Sequence, residues 1–292
     1  MRAVADTALT AAPAQRPNID GLWVVPPLLV LAVLFFYPLG LIVRASFGED
    51  APSLATFEQV LTSSRFLDGL YHTVVIAVSA TAGCIVLGFV LSLVIAFVPF
   101  PGAKLAGRLI DTVIALPTFL VTLAFTFIYG SAGLLNETLM HVFSLDLPPI
   151  DFLYSQWGVI LAETTVYTPF VMRPLLATFA TFDQAQIEVA SSLGARPLRI
   201  IRQILLPASL PALVAGGSLC LLLTVNEFGI VLFIGAKDVI TLPLLIYSKA
   251  IQEFDYTTAC VIAVVNVALS LGLYSLYRLA IAHFGGRRAG LV

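Results

Sequence analysis

LYHTVVIAVSATAGCIVLGFVLSLVIAFV, Leu70 to Val98, runs 29 residues without one Asp, Glu, Lys or Arg. In hydrocarbon every backbone N–H and C=O must find its partner inside the segment, so such a stretch reads as a membrane helix. About 20 mostly apolar residues suffice to cross a bilayer. Working outward from it, five more stretches qualify: Trp23 to Val43, Leu109 to Tyr129, Gly158 to Phe179, Leu210 to Ile234, and Thr258 to Ile281. The first of these is long and has no small-residue cleavage site behind it, so it reads as a retained helix rather than a signal peptide. The expected fold class is all-α: a polytopic membrane protein with six transmembrane helices. Composition agrees, because 59% of the 292 residues are hydrophobic and 11% charged, against about 25% charged in soluble domains.

The loops set an orientation. With the N-terminus cytoplasmic, the inside segments hold 11 of the 15 Lys and Arg and the outside segments hold 4, namely Arg44, Arg65, Lys237 and Lys249. Cytoplasmic loops carry the basic excess, so both termini are expected inside. The tail over residues 1–20, rich in Ala, Thr and Pro, has no periodic apolar face and reads as a disordered cytoplasmic extension. A six-helix domain is expected over 21–284, with a cytoplasmic tail over 285–292. Acids gather in the outside segments, among them Glu49, Asp50, Glu58, Glu137, Asp238 and Glu253. They read either as solvated loop surface or as part of a docking face for an external partner. Cys84, Cys220 and Cys260 sit singly in apolar runs, and the three His are far apart. No metal or disulfide framework is implied. The balance of charge gives no footprint for nucleic acid.

TFDQAQIEVASSLGARPLRIIRQILLP, Thr181 to Pro207, is the inside segment with the most information. Thr181 with Gln184 matches a capping box. Gly194 fits the left-handed stop after a first helix, and Pro197 fits the first turn of a second. Arg196, Arg199 and Arg202 recur every third residue, with Leu198, Ile201 and Leu205 on an apolar side. Pro207 and Pro211 are expected to break the path into the fifth span. A helical hairpin this small can fill a cleft on a partner.

On these residues the chain resembles a known family. Glu188, Ala190, Gly194, Ile204, Leu206 and Pro207 stand at the spacing of the EAA loop of binding-protein-dependent ABC importer permeases of the type I fold. Val189 departs mildly from a frequent Ala. GRLIDTVIALPTFLVTLAFTFIYG, Gly107 to Gly130, resembles the start of the family's membrane core. Phe127 to Asn136 and Gly216 to Lys237 are most similar to permease subunits of 2-aminoethylphosphonate importers. The resemblance implies a multi-pass subunit of the bacterial inner membrane that forms half of a translocation pathway. It implies three kinds of partner: a pair of cytoplasmic ATP-binding subunits, a second permease subunit, alike or different, and a periplasmic substrate-binding protein. It implies no cofactor. The EAA residues would couple ATP hydrolysis to transport. The chain itself has no GxxxxGK[ST] phosphate loop, so hydrolysis would belong to a separate protein and this one would be a transport subunit, not an enzyme.

Ionisable groups inside spans are expensive and often functional. Glu163 falls early in the fourth span, and Asn226 and Glu227 fall late in the fifth. They either line a polar translocation pathway or tie helices together. Pro169 and Pro174 fall inside the fourth span, and Gly216, Gly217 and Ser218 allow close helix approach. Polyamine, ferric iron or sulfate are alternative cargoes within the same family. An ion-coupled secondary transporter is a rival in which the EAA pattern has no role. An intramembrane enzyme would need a catalytic cluster that the sequence lacks.

Overall fold

In the computed structural model residues 23–48, 54–237 and 239–289 are described. The expectations for the tail over 1–20, and for Glu49, Asp50 and Asp238, lie outside those residues. Among the described residues every regular element is helical. The order is α1 (Val25–Ser46), α2 (Ala55–Leu61), α3 (Ser64–Phe97), α4 (Ala103–Ala115), α5 (Thr118–Tyr129), α6 (Leu134–Phe143) and α7 (Gln156–Ala180). Then follow α8 (Ala185–Ser192), α9 (Pro197–Ile200), α10 (Leu206–Val225), α11 (Gly229–Ile234), α12 (Leu242–Tyr247) and α13 (Tyr256–Ala289). α13 thus continues beyond residue 284, where a tail was expected to begin.

Five helical stretches of the described residues are long and apolar enough to cross a membrane: Val25–Ser46, Ser64–Phe97, Thr118–Phe143, Pro197–Val225 and Tyr256–Ile281. α7, which corresponds to the fourth of the expected spans, has 25 residues but carries Glu163, Arg173, two prolines and four threonines. It is less apolar because it sits in the centre. α3 and α10 flank it, and Val159, Ala162, Val171 and Leu175 on it are fully buried. α1 lies at the other extreme, packing mainly on α13 with Ser46 alone buried.

Close packing at the centre depends on small residues. A Cβ on Gly216 of α10 would lie 2.8 Å from the Val171 Cα of α7, so only glycine lets the two backbones meet there. Polar ties cross the same interfaces. Thr81 and Thr224 hydroxyls pair at 3.3 Å, and the Tyr277 hydroxyl of α13 donates to the Leu213 carbonyl at 3.0 Å.

Two expected spans are broken. Leu109 to Tyr129 divides at Leu116, whose extended backbone (ψ 135°) precedes Pro117. The proline ring disfavours the helical conformation in the residue before it. Leu210 to Ile234 divides at Asn226–Phe228, leaving α10 and the short α11. By contrast, Pro207 and Pro211 do not break the path into the fifth span. A π-helical turn, Ile201–Leu205, joins α9 to α10, and Pro197–Val225 runs as one helical stretch of 29 residues. The Leu206 N–H reaches back to Ile201, five residues away. That wider turn accommodates a proline ring that would clash with the carbonyl four residues before it in a regular helix.

Candidate functional site

The hairpin of α8 and α9 forms largely as its residues dictate. Gly194 has φ +80°, and its N–H donates to the Ser191 carbonyl at 2.9 Å. A Cβ there would meet nothing within 4 Å. The requirement for glycine is therefore conformational and not one of space. Pro197 occupies the first turn of α9. The capping box at Thr181 is absent. Thr181 closes α7, donating its hydroxyl to the Thr178 carbonyl at 3.1 Å, while the Asp183 carboxylate accepts from the Ala185 N–H at 3.0 Å and starts α8. Aspartate two residues before the free N–H groups does the capping that the threonine spacing promised.

The hairpin leaves much of its surface uncovered. Val189, Leu193 and Leu198 are 59%, 83% and 76% exposed. Arg196, Arg199 and Arg202 line a cavity of about 1030 Å³ together with Gly194, Gln203 and Pro207. Ile200 and Leu205 are buried beneath. Of the EAA residues, Glu188 and Gly194 are exposed, and Ala190, Ile204, Leu206 and Pro207 are half-buried. Glu188 also borders a second groove, of about 660 Å³, between the hairpin and the Phe97 end of α3. The residues at motif spacing thus come together on one end of the bundle. One tie there was not foreseen: Arg173 of α7 donates to Asp111 of α4 at 3.0 Å. Their separation of 62 residues leaves no local pattern to find.

Away from the hairpin lies a second polar site. Glu227 stands in the break between α10 and α11 and is 8% exposed. One of its oxygens accepts from the Ile230 N–H at 2.8 Å, satisfying the start of α11. The other accepts from the Tyr167 hydroxyl of α7. Glu163, one helical turn before Tyr167, is 1% exposed, and neither of its oxygens has a hydrogen-bond partner. Asn226 is exposed and serves a different network, donating to the Leu222 carbonyl at 2.8 Å and accepting from Asn266 of α13 at 3.0 Å. Sequence reasoning named Glu163 and Glu227 but missed Tyr167, because a tyrosine in a span carries no signal until its partner is known.

Asn136, fully buried at the opposite end of the bundle, donates to the carbonyls of Gly130 and Ile150 at 2.9 and 2.8 Å. It accepts from the Ile150 N–H at 3.0 Å. The side chain closes the loop after α6 as a strand neighbour would.

Comparison with known proteins adds the following. The family model described as "Binding-protein-dependent transport system inner membrane component" matches residues 84–288. The putative 2-aminoethylphosphonate transport system permease protein PhnU of Salmonella typhimurium is 64% identical over 282 residues, spanning 94% of this chain and 98% of the relative. The sulfate transport system permease protein CysT of the same organism is 29% identical over 267 residues, 90% of this chain and 92% of the relative. Among solved structures, a bacterial ABC transporter that imports alginate superposes with TM-score 0.78 at 17% identity, over 92% of this chain and 97% of that one. The MetNI methionine ABC transporter gives 0.55 at 18% identity, over 76% and 94%.

Proposed function

This chain belongs to the family of binding-protein-dependent transport system inner membrane components, and from that premise we propose that its cargo is 2-aminoethylphosphonate. As a permease of the ABC importer class it is a transport subunit that works through membrane helices. The observation that carries the substrate is the 64% identity to PhnU along nearly the whole of both chains. The sulfate permease stands much further off, at 29%.

The α8–α9 hairpin takes the role of coupling element. Its exposed Val189, Leu193 and Leu198 enter an apolar cleft on a separate ATP-binding subunit, and Glu188 and the arginines fix the register. Two such subunits close on ATP and carry two hairpins with them. A ligand couples to such a motion only through contacts that differ between the two states. The hairpin leads without a break through the π-helical turn into α10, so its displacement reaches the centre of the bundle along one helix. A second permease subunit, the same or related, completes the pathway, and an external binding protein delivers the cargo. Both termini lie in the cytoplasm.

The test is reconstitution of the chain with its ATP-binding and substrate-binding partners. Addition of 2-aminoethylphosphonate, and not sulfate, should stimulate ATP hydrolysis and uptake. Stimulation by sulfate alone overturns the cargo.

A further inference from the structure

The acidic groups of α7 and α10 are out of balance with their surroundings. Two carboxyl side chains, Glu163 on α7 and Glu227 after α10, share the buried interior of the bundle. The ion pairs among the described residues use other groups: Arg65 and Lys249 with Glu253, and Arg173 with Asp111. No cation of this chain therefore neutralises either carboxylate among the described residues. Buried charge of one sign without a partner is costly. A carboxylate offers about four acceptor positions. Glu227 uses one on the Ile230 N–H and one on Tyr167, and Glu163 uses none.

The position of the pair matters as much as its charge. Glu227 stands where the fifth span is interrupted, and the break in the third span, at Leu116–Pro117, leads into Thr118 beside it. A Cβ on Gly229 would lie 3.1 Å from the Thr118 hydroxyl and 3.3 Å from the Glu227 carboxylate. Glycine keeps the seam between the two breaks open. Thr118 and Gly229 are half-buried, and Leu116 and Pro117, just before the helix resumes, are exposed. Glu227 is 8% exposed, and Tyr167 and Glu163, one turn apart on α7, are 5% and 1% exposed, so the acidic pair lies behind the seam. Interrupted membrane helices are where irregular backbone can face a solute.

We propose that Glu227, bonded by Tyr167, and the unpartnered Glu163, one turn from Tyr167 on α7, form a subsite inside the membrane for the primary ammonium of an aminoalkylphosphonate. An ammonium brings three donors and no acceptor, which complements a pair of carboxylates with unused lone pairs. The subsite favours aminated over plain alkylphosphonates during passage, adding to any selection made by the external binding protein. It rests on the substrate reading above.

The experiment uses the complete reconstituted transporter with radiolabelled 2-aminoethylphosphonate. Glu227→Gln and Glu163→Gln keep shape and remove charge. Each should lower uptake roughly 10- to 100-fold, the scale of losing a hydrogen bond to a charged group, while hydrolysis stimulated by the loaded binding protein persists. Uptake at the wild-type rate in both variants overturns the subsite and leaves the cargo untouched. Failure of the wild-type complex to import this compound, while it imports another solute, overturns the cargo and the subsite with it. If the variants do not assemble, Thr118→Cys is labelled in the otherwise native acidic background. Cationic aminoethyl methanethiosulfonate should react roughly tenfold faster than the anionic sulfonatoethyl reagent, as focusing by a charged cleft requires, and excess 2-aminoethylphosphonate should slow it. Equal rates overturn the subsite.

Discussion

α1 and α7 are of similar length, 22 and 25 residues, and sit at opposite extremes of the bundle. α1 is mostly apolar, with Pro38 inside it and Arg44 as its one charged residue, and Leu34 on it is 72% exposed. α7 carries Glu163, Arg173, four threonines and two prolines, yet holds a dozen buried residues. In a water-soluble domain the more apolar helix would be the inner one. Here the order is reversed, because lipid tails are as apolar as leucine and give α1 no reason to move inward. The centre is held by shape and by hydrogen bonds. Gly216 against Val171, Thr81 with Thr224 and Tyr167 with Glu227 are contacts that apolar bulk could not make. Hydropathy therefore does not rank these two helices by burial: the less apolar one is the inner one.

The sharpest way to break that comparison is to add bulk where α7 meets α10. Gly216→Ile places a Cβ 2.8 Å from the Val171 Cα and 3.1 Å from the Phe170 carbonyl. Backbone cannot yield as a side chain does, so destabilisation of about 3 kcal/mol or more is expected. Thermal unfolding in detergent should show it, and an unchanged midpoint would refute the close approach of the helices. Removal of bulk comes next. Leu175→Ala on α7, fully buried, should cost about 2–4 kcal/mol by leaving a cavity. Leu34→Ala on α1 should cost less than about 0.5 kcal/mol. Equal losses would mean that α1 is packed in the folded protein as tightly as α7.

The hairpin offers a contrast of another kind, since its substitutions should act on coupling more than on stability. Gly194→Val forces a β-branched residue to φ +80°, a strain of roughly 1–3 kcal/mol confined to the turn. Membrane abundance should hold while co-purified ATP-binding subunit and uptake fall. Glu188→Lys should do likewise by inverting an exposed charge. Glu137→Lys, exposed on α6 at the other end, is the control and should leave ATP-binding subunit recruitment unchanged. Normal uptake in both hairpin variants would remove the coupling role.

Smaller still are the surface charges. Asp111→Asn cuts an ion pair whose two side chains are about half exposed, and should change stability by about 0–1 kcal/mol. Glu253 is held below the usual glutamate range, chiefly by the hydrogen bond from Lys249. A depressed carboxyl contributes above its unfolded value and loses that contribution as pH falls through the folded one. Titration from pH 8 to 5 should therefore leave this contact intact, and only more acidic solution should release it. A chemical-shift titration of Glu253 with its midpoint above the ordinary value of about 4.3 would contradict the pairing.

Much of the site was legible beforehand. Gly194 and Pro197 mark turn and restart through backbone chemistry that needs no neighbours. Glu163 and Glu227 are conspicuous because acids are rare in spans. The misreadings share a cause. Thr181 and Gln184 have the spacing of a capping box, but Asp183 lies nearer the free N–H groups and prevails. Pro207 reads as a breaker until the π-helical turn before it makes room. Pro117 was read through as part of one span, although the residue before it was already constrained. In each case two local rules competed, and spacing could not rank them.

By itself the sequence determined which segments are long and largely apolar, where the chain turns at Gly194, and that acids fall within those segments. Those are properties of single residues and short windows, governed by transfer to hydrocarbon and by allowed backbone angles. Only the tertiary structure decided that α7 is central, that Tyr167 joins Glu227 with Glu163 behind it, and that the breaks of two spans meet at Thr118 and Gly229. Those depend on distances between residues 60 or more positions apart, such as Tyr167 and Glu227. Helices crossing in a bilayer are oriented by the fit of their surfaces, and no one helix contains the shape of its neighbour.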